Sequence, residues 1–71
     1  MLNLELYKQF YKLGRYAAYQ AINKNEEGKT VIGLQYQAAY DALYAVDTEV
    51  ALACHEVYCE AYAEIIRMFG V

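Results

Sequence analysis

Val31–Val46, VIGLQYQAAYDALYAV, followed by Asp47–Phe69, DTEVALACHEVYCEAYAEIIRMF, decides the fold. Both stretches read as helix, because their apolar residues recur at intervals of three and four rather than two. In the first, Val31, Leu34, Ala38, Ala42, Ala45 and Val46 share an aliphatic face, and Tyr36, Tyr40 and Tyr44 fall on the opposite side. Beyond Asp47 the aliphatic direction turns charged, with Glu49, Glu56, Glu60, Glu64 and Arg67. The tyrosine direction stays apolar through Ala51, Cys54, Tyr58, Tyr62, Ile65 and Phe69. Two arrangements satisfy this change of phase. A break near Asp47–Thr48, both suited to an N-cap, gives three helices. An unbroken helix of about 60 Å instead buries two faces early and one late. No glycine or proline lies between residues 34 and 69. The reading adopted is therefore one long helix over about 30–69, with 47–48 as the place for any bend or break.

Working toward the N-terminus, Asn23-Lys24-Asn25-Glu26-Glu27-Gly28-Lys29 holds no apolar residue and is rich in turn formers. It reads as a loop over 24–29, with Thr30 as the N-cap of the second helix. Before it, residues 2–23 place Leu2, Leu6, Tyr7, Phe10, Tyr11, Leu13, Ala17, Ala18, Ala21 and Ile22 on one arc of a helical wheel. Glu5, Lys8, Lys12, Arg15 and Tyr19 lie on the other, the pattern of an amphipathic helix with one core face. Gly14 lies on the apolar arc near Ala18 and Ala21. It is either an interior cost of about 1 kcal/mol or a place where another helix comes close.

The expected fold is an all-α helical hairpin, one domain, assembling into a homo-oligomeric bundle. The first helix spans about half the second and covers its aliphatic face, which leaves the tyrosine stripe without a cover. Tyr36, Tyr40, Tyr44, Tyr58, Tyr62, Ile65 and Phe69 are accordingly the expected interface with a second copy, a dimer being the simplest closed assembly.

Composition supports that outline. The 71 residues are 59% hydrophobic and 15% aromatic, too apolar for a disordered segment. Nine of the eleven aromatics are tyrosine. A chain this short buries roughly 60% of its unfolded surface, so help from a partner chain is expected. The net charge of −3 is split: Lys8, Lys12, Arg15 and Lys24 oppose Glu5 in residues 1–24, while eight acids oppose Lys29 and Arg67 in the remainder. Such a split suits halves that face each other. A pI near 4.9 argues against a general nucleic-acid binder. Cys54 and Cys59 are five apart, turned about 140° from each other on a helix, so no intrachain disulfide is expected. Two free thiols, charges within MLNLELYKQF and no apolar run of membrane-spanning length point to a cytoplasmic chain with no membrane partner.

Candidate chemistry is sparse. There is no serine and only one histidine, so no catalytic set assembles and no enzyme is expected. His55 and Cys59, four apart on one helix face, have the spacing of a metal-ligand pair. No third ligand is evident, so no metal site or cofactor is expected from one chain, although a symmetric interface could complete one. Gly28-Lys29-Thr30 matches the end of a P-loop, but Asn23 stands where its first glycine is needed. What remains is a helix N-terminus beside Lys29 that suits a phosphate. With Lys8, Lys12 and Arg15, and Tyr16 and Tyr19 near that stripe, it makes the alternative reading, a small nucleotide- or nucleic-acid-binding module. The favoured reading is a small non-catalytic interaction protein that docks to itself and to a partner protein. Accessory and inhibitor proteins of phages and mobile elements offer the analogy, since chains of this size without a catalytic set act there by occluding host machinery.

Overall fold

The computed structural model describes residues 2–70, the side chains of Leu2 and Asn3 apart. The chain is all-helical: α1 spans Leu2–Ile22, α2 Glu26–Val46 and α3 Thr48–Phe69. The longest dimension is 36 Å, well short of an unbroken second helix.

The expected long helix is broken at Asp47. That residue is extended (φ −151°, ψ 96°), its amide still donates to the Leu43 carbonyl, and its carboxylate accepts from Val50 N–H at 3.2 Å. One residue thus closes α2 and caps α3, and its own hydrogen bonds make glycine or proline unnecessary. The break answers the two-faced pattern: turning the chain lets both apolar directions reach one core.

The first connection also differs from expectation. Asn25, not Thr30, is the N-cap, accepting from Gly28 N–H at 3.0 Å, and Glu26 and Glu27 occupy the first turn of α2 where carboxylates favour the helix dipole. The Thr30 hydroxyl instead donates to the Glu26 carbonyl inside the helix. α1 ends in a Schellman turn: Asn25 N–H reaches the Gln20 carbonyl at 2.9 Å, Lys24 N–H reaches Ala21 at 3.2 Å, and Lys24 is left-handed at φ 57°.

α1 and α3 form the most extensive pair. Phe10, Ala17 and Ala18 of α1 meet Ala51, Cys54, Ala61 and Ile65 of α3, all buried. Gly14 sits at the closest approach, where a Cβ would collide with the Tyr58 carbonyl oxygen and stand 3.0 Å from the Ala61 Cβ. Of the two readings of Gly14, close approach is therefore the one observed. The Leu2 side chain, expected on the same arc, lies outside the described residues.

α2 is laid on this pair the other way round from expectation. Its half-buried arc is Ile32, Tyr36, Ala39, Tyr40 and Leu43, and no α2 residue is fully buried. The aliphatic face expected against α1 points outward, with Val31 52%, Leu34 67% and Val46 85% exposed. Small residues bring α1 and α3 together, and the groove beside them is wide enough to need rings. Tyr36 meets it with Phe10 edge-on at 5.8 Å and Tyr58 at 4.3 Å.

Candidate functional site

The seven residues expected as a self-interface do not form one exposed stripe. Ile65 is core at 2% exposure, and Tyr36 and Tyr58 are half-buried in the α2–α3 seam. Tyr40 stacks on Tyr36 at 5.7 Å and is followed by Tyr44 at 5.6 Å, so the ladder runs out of the seam into solvent. Tyr44, at the outer end of the ladder, is exposed, as is Phe69 at the end of α3, which leans on Tyr19 of α1 at 6.1 Å. Tyr62 is half-buried.

The uncovered surface is the other face of α2. Val31, Leu34, Ala38, Ala42 and Ala45 run its full length at helical spacing, all exposed, with Gln35, Gln37 and Asp41 alongside. Beside Val46 the stripe opens into an apolar groove of about 350 Å³ between α1 and α2, lined by Leu6, Phe10, Ala39, Ala42 and Leu43. Sequence periodicity finds this face and misassigns its direction, because both faces of α2 are apolar.

A polar cluster stands on the opposite side of α2, where the seam meets solvent. The Tyr36 hydroxyl is hydrogen-bonded to His55 Nδ1, and His55 Nε2 lies 3.5 Å from Cys59 Sγ. The Tyr40 ring meets the imidazole edge-on at 6.0 Å. His55 and Cys59 are exposed, whereas Cys54 is fully buried and turned away. Burial pushes the Tyr36 phenol up to about 12, with Tyr40 and Cys59 adding to it, and burial likewise raises the Cys54 thiol. Among the described residues of one chain no group of three His, Cys, Asp or Glu side chains converges to hold a metal ion.

The expected anion-binding residues fall into two places. Lys8 and Lys12 flank a shallow groove with Tyr7, Tyr11 and Val57, of about 370 Å³. Arg15 lies over the Tyr11 ring at 5.9 Å and donates to the Tyr19 hydroxyl at 3.4 Å. Lys29 and Thr30 follow Gly28, which lies against Gln20, a residue roughly 18 Å along α1 from Lys8 at 1.5 Å per residue. There the Gly28 amide is taken by Asn25, and Lys29 pairs with Glu26 at 3.6 Å. The basic and acidic halves do meet, through a hydroxyl: Tyr11 donates to Glu64 at 2.8 Å, which raises the Tyr11 phenol. Among the described residues, Lys29–Glu26 is the one ion pair within 4 Å.

No helix among the described residues is long and apolar enough to cross a membrane. No family model, no curated protein and no solved structure matches the chain.

Proposed function

We propose that this chain is a non-catalytic protein-interaction module that assembles with a second copy through the outer face of α2. The observation that carries the reading is a helix with no fully buried residue whose aliphatic stripe faces solvent along its length. Exposed apolar surface of this kind marks docking sites.

The stripe favours its own copy as occupant because it is self-complementary. In an antiparallel pair with its two-fold axis at Ala38, Leu34 stands over Ala42 of the partner subunit and Val31 over Ala45 of the partner subunit. Large residues thereby meet small ones, and each contact occurs twice. The α2 dimer by itself leaves the acidic outer face of α3, with Glu49, Glu56 and Glu60 exposed, for a partner protein of basic surface.

Light scattering tests the assembly. The unmodified chain is expected to be a dimer, and Ala38→Glu, which opposes two carboxylates at the axis, a monomer of unchanged helical content by circular dichroism. A monomeric unmodified chain sinks the reading, as does an Ala38→Glu variant that remains a dimer.

A further inference from the structure

The Tyr36–His55–Cys59 cluster plays no part in that docking face, from which the row Gln37, Asp41 and Tyr44 separates it. We infer that His55 Nε2 and Cys59 Sγ are half of a tetrahedral zinc site, completed by the same pair from another copy of this chain.

Three features carry the inference. The first is spacing: zinc–nitrogen bonds of about 2.0–2.1 Å and zinc–sulfur bonds of about 2.3 Å at a tetrahedral angle set the two ligand atoms roughly 3.5 Å apart. His55 Nε2 and Cys59 Sγ stand 3.5 Å apart, held by the i, i+4 register of α3. The pair already forms one edge of the coordination polyhedron.

The second is the outer shell. A metal-bound histidine carries its remaining proton on the other ring nitrogen and donates it to an oxygen, which fixes the ring. His55 has that oxygen at Nδ1, the Tyr36 hydroxyl, itself seated in the aromatic seam. The nitrogen left for the metal is the one on the Cys59 side.

The third is accessibility and charge. His55 and Cys59 are exposed, and the only other thiol is buried, so a structural four-ligand site is incomplete in one chain. A two-fold axis past the pair supplies the missing ligands as Cys₂His₂, a set that zinc prefers. Glu56 and Glu60 border the pair on α3, so two copies meeting here repel unless a cation lies between them. The charge balances at the centre: two thiols lose two protons, and the resulting thiolates neutralise one zinc dication. Nothing is oxidised or reduced.

The test uses the full chain, kept reduced, stripped with a chelator and titrated with zinc alone. Binding is expected to saturate at one zinc per two chains, with proton release and a doubling of the mass seen in chelator. Cobalt in place of zinc is expected to show a thiolate charge-transfer band. His55→Ala and Cys59→Ser are expected to abolish both the doubling and the band, while Cys54→Ser keeps them. Tyr36→Phe is expected to weaken binding about 10- to 100-fold at unchanged stoichiometry. One zinc per chain without a change of mass overturns the inference, and so does zinc binding that survives Cys59→Ser. The α2 contact is read separately: it persists in chelator and in Cys59→Ser, whereas Ala38→Glu removes it and leaves the zinc-dependent step in place.

Discussion

At the scale of single residues, Gly14 and Tyr36 divide the labour of spacing the helices. Gly14 lets α1 and α3 touch; Tyr36 fills the wider gap to α2. Replacing Gly14 with alanine gains about 1 kcal/mol of helix propensity, yet its Cβ would collide with the backbone oxygen of Tyr58. Overpacking of that kind costs about 1–3 kcal/mol. Gly14→Ala is therefore expected to lower the thermal midpoint, and a raised midpoint would mean that the helices are farther apart. Tyr36 gives a pH signature. Its phenol titrates at about 12 folded against 10.0 when free, so the folded state holds the proton more tightly. The stability this confers is complete below pH 10 and is lost as pH rises toward 12. Tyr36→Phe should flatten that alkaline limb in denaturant unfolding; an unchanged slope would place the hydroxyl in water. Of the Tyr36–His55–Cys59 chain, the sequence shows only the helical pair, because the tyrosine lies on another helix and no spacing rule links the two.

At the scale of elements, Asp47 is the decisive position. The change of phase around it is legible in the sequence, as is the amphipathic character of α1 up to Ile22. Whether the chain breaks there is not, since an aspartate in a helical run is tolerated until tertiary packing rewards the turn. The structure makes a definite prediction: Asp47→Ala removes the α3 cap and should cost about 1 kcal/mol in denaturant unfolding. Were α2 and α3 one helix in solution, the same change would stabilise it. The orientation of α2 is the other illegible feature. A helical wheel scores Val31 and Tyr40 alike as apolar, whereas the groove left by the close α1–α3 pair discriminates between them by size. Asn25 precedes the expected cap by five residues because two glutamates, read as loop by their polarity, are favourable in a first helical turn.

At the scale of the whole molecule, the chain presents the apolar outer face of α2, the acidic outer face of α3 and a cationic groove that Lys8 and Lys12 of α1 share with Val57 of α3. The Ala38→Glu measurement belongs here, because it asks whether the first of these is covered in solution. The split of charge suits halves that face each other, yet among the described residues no ion pair joins them; what spans them is the Tyr11–Glu64 hydrogen bond, across 53 residues. That long span bears on how the chain is born. The core pairs the first helix with the last, and α2 between them contributes no fully buried side chain. A growing chain that has emerged through Val46 thus has two amphipathic helices with their mutual contacts but without the α3 side chains that complete the core. Closing a loop of this length costs entropy before any contact repays it. A fragment of residues 1–46 is expected to show little helix by circular dichroism and no cooperative melting. Acquisition of structure is then a single late event on synthesis, gated by the arrival of α3.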